Sequence, residues 1–317
     1  GGDFTIISIG DINAATPSTT IVTGADINWS TTKDTIGAIN FGNNDLTASN
    51  ITLTADGGST ATIVNTTGKL GGPSGTQATI TLTQGGALTI GGGGLDDIQA
   101  TSFVNLVLLS TGNEIILGSP AGGGTFTWNS LDVEARGLNN GTNRGITVTN
   151  EQITDSGNID LEATAINAVI RLEADLTSAN DLILRSDGTG GSIDQNSGTL
   201  TVTNNGDLTL SQDADLTIGG TGISGFTNPQ NINLIAVSQT NNLFYSSNET
   251  FNSITGTGGS GLTATTAVQA DQAGVDLRTT STDSDIDIRL GITGVGISVT
   301  PQRDLQISGI LDAVTTG

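Results

Sequence analysis

The chain contains no cysteine, no histidine and no methionine, and aromatic residues make up 3% of its 317 residues. Without histidine or cysteine, the Ser-His-Asp and Cys-His schemes of nucleophilic catalysis are excluded. Disulfide and thiolate chemistry are excluded for the same reason, which is compatible with a location outside the cell. With so few aromatic side chains, a core of large residues packed between helices is not expected.

Basic residues are also scarce, because 9 Lys and Arg stand against 31 Asp and Glu, for a net charge of −22. A nucleic-acid binder needs basic side chains to displace counterions from phosphates, so nucleic acid and anionic membranes are not expected partners. No run approaches the roughly 18 apolar residues of a membrane-spanning helix. The opening GGDFTIISIG has neither an initiator methionine nor a signal-peptide pattern, which predicts a processed chain or a segment of a longer protein.

What the chain has is glycine, 46 residues of it, together with Ile, Leu, Val and Ala set among Thr, Asn and Asp. β-Branched residues that alternate with turn-forming residues are typical of short strands and tight turns. Only 13% of the residues are charged, and the charges do not form blocks. This pattern favours an ordered, strand-rich chain over a disordered one.

A short phrase recurs between residues 198 and 220, where GTLTV, GDLTL and ADLTI follow one another at an eight-residue step. Each phrase places two apolar residues two positions apart, which predicts a short strand with one face inward. The residues between the phrases are turn formers. The next matching phrase, QNINLIA, places Ile232 24 residues after Leu208. The sequence therefore predicts a coil of three strands that returns to its starting position one layer further on.

The same phrase recurs along the whole chain at intervals in the mid-twenties, a spacing typical of solenoids, whose coils contact only their neighbours. We therefore predict an all-β, right-handed parallel β-helix (β-solenoid) of about 12 coils of roughly 24–27 residues, forming a single segment over residues 1–317. The aligned positions are Ile27, Ile51, Ile80, Val104, Leu131, Ile159, Leu182, Leu208 and Ile232, followed less evenly by Ile254, Val275, Ile286 and Leu305.

Two stretches carry a resemblance to a known family: residues 157–186, GNIDLEATAINAVIRLEADLTSANDLILRS, and residues 198–220, GTLTVTNNGDLTLSQDADLTIGG. They resemble the repetitive β-helical shaft of filamentous-haemagglutinin-like exoproteins, which leave the cell by two-partner secretion. The Asn-Pro-Asn-Gly-type motif of that family's secretion domain has no counterpart here. The resemblance implies a secreted or cell-surface protein with an adhesive or fibrous role, and cell-surface glycans or matrix as partners.

Parallel β-helices also include enzymes that cleave polysaccharides, so carboxylate clusters were considered as catalytic candidates. Glycoside hydrolysis needs two carboxyl groups that converge on one groove. Asp285 and Asp287 alternate around Ile286 on one outer face, next to Asp283. Solvated surface carboxylates explain this cluster more simply, so we predict no enzymatic activity and no catalytic residues. A carbohydrate-binding or carbohydrate-cleaving β-helix is kept as the alternative.

No cofactor is expected, and one metal-binding motif was considered. GGGGLDDIQ, residues 91–99, fits the calcium-binding nonapeptide of β-helix repeats, with Asp96 as the ligand. Such sites form between consecutive nonapeptides and the match occurs once, so a glycine-rich corner is the favoured interpretation. Weak calcium binding by the acidic surface as a whole is more plausible than a dedicated site. For Trp29 and Trp128, a core or corner position is favoured over stacking on sugars.

Two further regions are candidates for contacts. Residues 238–262 interrupt the regular spacing and concentrate Phe244, Tyr245 and Phe251. They predict a lateral excursion with a contact surface, or equally an ordinary irregular coil. At the two ends, strand-like segments containing Phe4 and Ile6, and Leu305 and Ile307, show no capping helix. We expect these ends to pair with another copy of the chain, end to end, or with adjoining segments of the same polypeptide.

Overall fold

A computed structural model of the chain describes residues 2–14, 20–22, 25–31, 37–56, 58–66, 68–72, 77–91, 95, 98, 104–118, 124–138, 142–227, 231–271 and 274–313. The chain forms two compact units, Gly1–Ala165 (unit 1) and Ile166–Gly317 (unit 2). The described residues consist of short strands joined by turns, with one 3-10 turn at Gly58–Thr60 and no α-helix.

The strands of unit 1 are two to seven residues long. They are β1 (Phe4–Ser8), β2 (Ile12–Asn13), β3 (Thr20–Val22), β4 (Asp26–Thr31), β5 (Ile39–Gly42), β6 (Asp45–Thr47), β7 (Asn50–Ala55), β8 (Ile63–Asn65), β9 (Leu70–Gly71), β10 (Ala78–Gln84), β11 (Leu88–Ile90), β12 (Val104–Ser110), β13 (Ile115–Leu117), β14 (Thr125–Trp128), β15 (Ser130–Ala135), β16 (Arg144–Val148), β17 (Glu151–Thr154) and β18 (Ile159–Ala163).

The strands of unit 2 are of similar length. They are β19 (Val169–Leu172), β20 (Leu176–Ser178), β21 (Leu182–Ser186), β22 (Ser192–Gln195), β23 (Leu200–Val202), β24 (Asp207–Gln212), β25 (Leu216–Ile218), β26 (Phe226–Thr227), β27 (Asn231–Ala236), β28 (Asn242–Tyr245), β29 (Thr250–Phe251), β30 (Ser253–Gly258), β31 (Gly261–Ala264), β32 (Val268–Ala270), β33 (Gly274–Thr279), β34 (Asp285–Ile288), β35 (Gly291–Gly294), β36 (Gly296–Thr300), β37 (Leu305–Ile307) and β38 (Ile310–Ala313).

Within each unit, a strand pairs in parallel with the equivalent strand of the next coil. The long sheet of unit 1 has the order β1-β4-β7-β10-β12-β15-β18, and that of unit 2 the order β21-β24-β27-β30-β33-β36. Shorter sheets complete the coils, such as β2-β5-β8 and β3-β6-β9 in unit 1 and β25-β28-β31-β34-β37 and β29-β32-β35-β38 in unit 2. Stacked parallel strands of this kind form a parallel β-solenoid, which confirms the predicted fold class.

The phrase repeated at an eight-residue step forms three strands in three different sheets, β23, β24 and β25. In β24, Leu208 and Leu210 are fully buried while Thr209 between them is partly exposed, as the two-residue alternation predicts. Leu208 pairs with Ile232 of β27, so the predicted return of the chain after 24 residues is confirmed. The core thus contains rows of Leu, Ile and Val side chains that are aligned from one coil to the next.

The predicted alignment is wrong at two places. In unit 1, Ile80 pairs with Leu106 and not with Val104. The sequence did not show this, because β12 is apolar at nearly every position and its alternation does not indicate which residues face inward. In unit 2, Leu305 pairs with Ile286 in a shorter sheet. The long sheet continues instead from Val275 to Ile297, which explains the uneven spacing near the C-terminal end.

Residues 238–262 do not leave the coil as a lateral excursion, so that interpretation is wrong. β28 pairs with β25 and with β31, and β30 pairs with β27 and with β33. The step from Ile232 to Ile254 is 22 residues, shorter than the preceding step of 24 and close to the following step of 21 from Ile254 to Val275. The alternative interpretation, an irregular coil, describes it.

A buried glutamine closes the first corner of one coil in each unit. Gln84 Oε1 accepts a hydrogen bond from the Ile63 amide at 2.7 Å, and its Nε2 donates to the Ala87 carbonyl at 2.5 Å. Gln212 makes the same two contacts, with the Ile193 amide at 2.8 Å and the Asp215 carbonyl at 2.5 Å. Each side chain therefore joins its own corner to the preceding coil and satisfies a buried amide and a partly buried carbonyl. Neither glutamine stands out in the sequence, because nothing in the apolar alternation distinguishes it.

Candidate functional site

The predicted contact surface of Phe244, Tyr245 and Phe251 is wrong for two of its three residues. Phe244 is exposed, whereas Tyr245 and Phe251 are buried. Tyr245 occupies an inward position next to Ile218, and Phe251 packs edge-on against Phe226 at 5.9 Å between ring centroids. Aromatic residues in short strands alternate between faces like any others, so only one of the three is available for contacts.

Trp29 and Trp128 lie in the core of unit 1, as favoured from the sequence, and each is 1% exposed. The Trp128 indole N–H donates to Gln152 Oε1 at 2.9 Å, and its ring stacks on Phe126 at 5.8 Å. Neither indole presents a face to a sugar.

The carboxylates near the C-terminal end of unit 2 are ion-paired. Asp285 accepts two hydrogen bonds from the Arg303 guanidinium, one of them at 2.8 Å, and Asp287 pairs with Arg289 at 3.0 Å. The hydrogen bond from Arg303 lowers the pKa of Asp285 below its usual value. A general acid in glycoside hydrolysis needs a raised pKa. Asp285 therefore lacks the property that the alternative function would require of it.

The predicted weak calcium ligand, Asp96, and its neighbour Asp97 lie outside the described residues. Within the described ranges, no group of three or more acidic side chains is arranged to hold a metal ion.

Unit 2 contains a lateral cleft of about 330 Å³ between the strands β22 and β25. Its polar lining includes Asp194, Gln195, Gln212 and Asp215. These side chains already serve the fold: Asp194 lies 3.4 Å from Arg171, and Asp215 accepts from the Asn242 amide at 2.6 Å. This cleft is one candidate site for a small ligand in unit 2.

A second recurrent contact, here called the Asp–amide contact, joins successive coils. An aspartate immediately before the inward Leu or Ile of a strand accepts a hydrogen bond from the backbone N–H at the equivalent position one coil further on. The pairs are Asp11 with Ala38 (3.0 Å) and Asp45 with Lys69 (3.0 Å) in unit 1, and Asp175 with Thr199 (2.7 Å), Asp181 with Asp207 (3.0 Å), Asp215 with Asn242 (2.6 Å) and Asp285 with Asp304 (3.1 Å) in unit 2.

The Asp–amide contact gives six of the 31 acidic residues a structural purpose. Hydrogen bonds to an ionised acceptor are stronger than those between neutral groups. The contact also fixes the strand ends of neighbouring coils in register. The sequence carries a signal for this contact, since Asp-Leu or Asp-Ile begins one strand phrase after another.

At the N-terminal end of unit 1, the strands β1, β2 and β3 pair on one side with β4, β5 and β6. No strand covers their other side within the described residues. The predicted pairing residues Phe4 and Ile6 occupy the inward positions of β1, opposite Ile27 and Trp29. Phe4 is exposed although its column partner Ile27 is fully buried.

At the C-terminal end of unit 2, the strands β36, β37 and β38 likewise pair on one side with β33, β34 and β35. Leu305 is 44% exposed, whereas its partner Ile286 is 0% exposed. Ile307 lies in the same strand opposite buried Ile288. Both predicted end segments therefore form edge strands among the described residues.

Two further residues, Leu311 and Asp304, belong to this end. Leu311 is 52% exposed and pairs with Ile292, which is 1% exposed. Asp304 stands directly before Leu305, in the position of an Asp–amide acceptor, and its side chain is 82% exposed. Leu311 extends the apolar end face to the third strand of the coil, and Asp304 adds a hydrogen-bond acceptor to it.

No protein-family model, curated protein or solved structure matches this chain. Among the described residues, no helix has the length and apolar character needed to cross a membrane.

Proposed function

We propose that this chain is a structural, adhesive β-solenoid of the extracellular space, acting as the shaft of a large secreted adhesin or as a subunit of an extracellular filament. The observation that carries the proposal is that many of the chain's polar side chains form hydrogen bonds between neighbouring coils. The aspartates and the corner glutamines form repeated contacts between coils, which is chemistry that holds a stack together.

The resemblance of residues 157–220 to the shaft of filamentous-haemagglutinin-like exoproteins supports the same proposal and is the basis for the extracellular assignment. The absence of cysteine and the net charge of −22 fit a chain that needs neither disulfides nor nucleic-acid contacts. High like charge also opposes sideways association of copies.

The alternative is a carbohydrate-binding or carbohydrate-cleaving β-helix, and the cleft lined by Asp194 and Asp215 is the observation that favours it. The cleft has about the volume of the smallest ligand sites. Its aspartates are, however, held by Arg171 and by the Asn242 amide.

A paired experiment separates the two functions. The purified chain and its Asp194→Asn/Asp215→Asn variant are tested for release of reducing ends from neutral and acidic polysaccharides and for binding to a glycan array. We expect no hydrolysis by either protein and the same array signals for both. Hydrolysis or saturable glycan binding that the double variant loses would favour the alternative and contradict the structural proposal.

A further inference from the structure

The end coils present two apolar faces built from the same parts. At the N-terminal end the inward positions of three edge strands are Phe4, Ile6, Ile12 and Ile21. At the C-terminal end they are Ile297, Val299, Leu305, Ile307 and Leu311. Every equivalent position one coil further inside is filled by a residue of the stacked core. At the N-terminal face Ile12 is already buried and Phe4 is exposed, whereas Leu305 and Leu311 are exposed at the C-terminal face. Among the described residues, no strand covers either face.

The first two strands of the two faces have the same spacing, although the step to the third strand differs, at six residues from Leu305 to Leu311 and nine from Ile12 to Ile21. Ile297 and Leu305, the first inward residues of β36 and β37, are eight residues apart, and Phe4 and Ile12 of β1 and β2 are also eight residues apart. Coils inside unit 2 use the same spacing, as between Leu208 and Leu216. Within each unit the three strands of a coil follow in chain order and pair in parallel with those of the next coil, so β36, β37 and β38 can continue in parallel onto β1, β2 and β3 of another copy.

The Asp–amide contact supplies a polar complement to the apolar faces. Asp304 precedes the inward Leu305, and Asp11 precedes the inward Ile12. In the register just described, the carboxylate of Asp304 meets the backbone N–H of Asp11. An aspartate as the amide donor is no obstacle, since Asp207 donates its N–H to Asp181 at 3.0 Å.

We propose that the C-terminal coil of one copy docks onto the N-terminal coil of a second copy, in the register Ile297 to Phe4, Leu305 to Ile12 and Leu311 to Ile21. This inference rests on the proposed function, because it names the joint that a filament subunit needs. The joint is heterologous, because it brings together two different faces of the chain, and a contact of this kind can repeat from copy to copy.

The test uses the full chain and two variants, each disabled at one end. Phe4→Asp places a charge on the N-terminal face, and Leu311→Lys places one on the C-terminal face. We expect sedimentation velocity of the parent to show a ladder of oligomers that grows with concentration and with added salt, which screens the like charges. Each variant alone should be monomeric, with an association constant lowered about tenfold or more.

Mixing the two variants gives the sharpest result. A head-to-tail joint leaves one intact face on each variant, so the mixture should form dimers and stop there. A tail-to-tail joint would instead let Phe4→Asp dimerise alone, and that outcome would overturn the proposal. A parent chain that stays monomeric at every concentration and salt level would overturn it as well.

Three controls keep the result independent of folding. Val237→Lys introduces the same charge at an exposed apolar position away from both ends and should associate like the parent. Asp304→Ala, at an exposed side chain, should weaken association several-fold without loss of strand content by circular dichroism. If the parent is monomeric and the polysaccharide and glycan tests are negative, the joint fails while the proposed structural function stands.

Discussion

The two units share a glutamine corner with the same hydrogen bonds, but they differ in the residues of their apolar interiors. Gln84 in unit 1 and Gln212 in unit 2 each accept a hydrogen bond from the preceding coil and donate one within their own corner, with donor–acceptor distances that differ by no more than about 0.1 Å. The apolar interior differs: unit 1 encloses Trp29, Trp128 and Phe41, whereas Phe251 is the one aromatic residue among the largest fully buried side chains of unit 2. Hydrogen-bond geometry constrains the corner tightly, while the interior needs only matching volume.

The largest effect should come from a charge placed inside the stack. Replacing Leu208 by Asp in unit 2, or Leu82 by Asp in unit 1, buries an unpaired carboxylate at a position that is fully buried. We expect a loss of about 4 kcal/mol or more in the free energy of unfolding for each variant. Denaturant unfolding measures the loss, and hydrogen exchange shows whether it spreads beyond the mutated unit.

The outward neighbour in the same strand is the control. Thr209→Asp introduces the same charge on the partly exposed face of β24 and should stay within about 0.5 kcal/mol of the parent. If Leu208→Asp were equally mild, Leu208 would have to face outward.

The corner glutamines provide the second test of the comparison. Gln84→Ala and Gln212→Ala each leave one buried amide and one carbonyl without their partner. We expect about 1–3 kcal/mol of destabilisation from each, equal in the two units if the corner is the same device. Thermal or denaturant unfolding checks this, with the exposed Gln302→Ala as the neutral control. A large effect in one unit alone would show that the two corners are not equivalent.

A smaller effect is expected from the Asp–amide contact. Asp45→Ala in unit 1 and Asp215→Ala in unit 2 remove the acceptors of the Lys69 and Asn242 amides. Each should cost about 1.5 kcal/mol in unfolding free energy. Asp45→Asn and Asp215→Asn keep an oxygen acceptor and remove the charge, so they should recover most of the loss. Asparagine variants as unstable as the alanine variants would assign the effect to charge instead.

The smallest expected effect concerns Tyr245, the one tyrosine of the chain, which lies in unit 2. Burial raises the pKa of its hydroxyl above the usual value. The folded state therefore favours the neutral phenol, and its contribution to stability is complete below about pH 10 and declines as the pH rises further. We expect about 1 kcal/mol of loss by about pH 11, and Tyr245→Phe should remove this part of the pH dependence.

Alternation and spacing were sufficient to predict the solenoid. Leu208 and Leu210 are buried around Thr209, and the step to Ile232 gives the coil length. The predicted strand pairing was wrong where the alternation was ambiguous. Apolar residues alternate poorly with polar ones in β12, so the sequence did not reveal that Ile80 pairs with Leu106. Near the C-terminal end, Leu305 was assigned to the long sheet in place of Ile297. Leu305 follows an aspartate, as the first leucine of a strand often does in this chain, whereas Ile297 does not.

The end residues were partly predictable. Phe4, Ile6, Leu305 and Ile307 were identified from strand-like sequence at both ends, and they do occupy edge strands in the described part of the chain. Tyr245 and Phe251 were misjudged because an aromatic side chain in a short strand gives no indication of the face it occupies. That face depends on register with the neighbouring coil, which only the pairing of β28 and β29 reveals.

The parallel pairing within each unit also has a mechanical consequence. The backbone hydrogen bonds that join one coil to the next lie in series along the stack, so tension applied along it loads one ladder after another. The weakest coil should unfold first, and its residues should extend before the next coil unfolds. A step of 24 residues, as between Leu208 and Ile232, frees roughly 80 Å of extended chain. A unit of this kind would lengthen in many small increments under force and absorb work as it unravels.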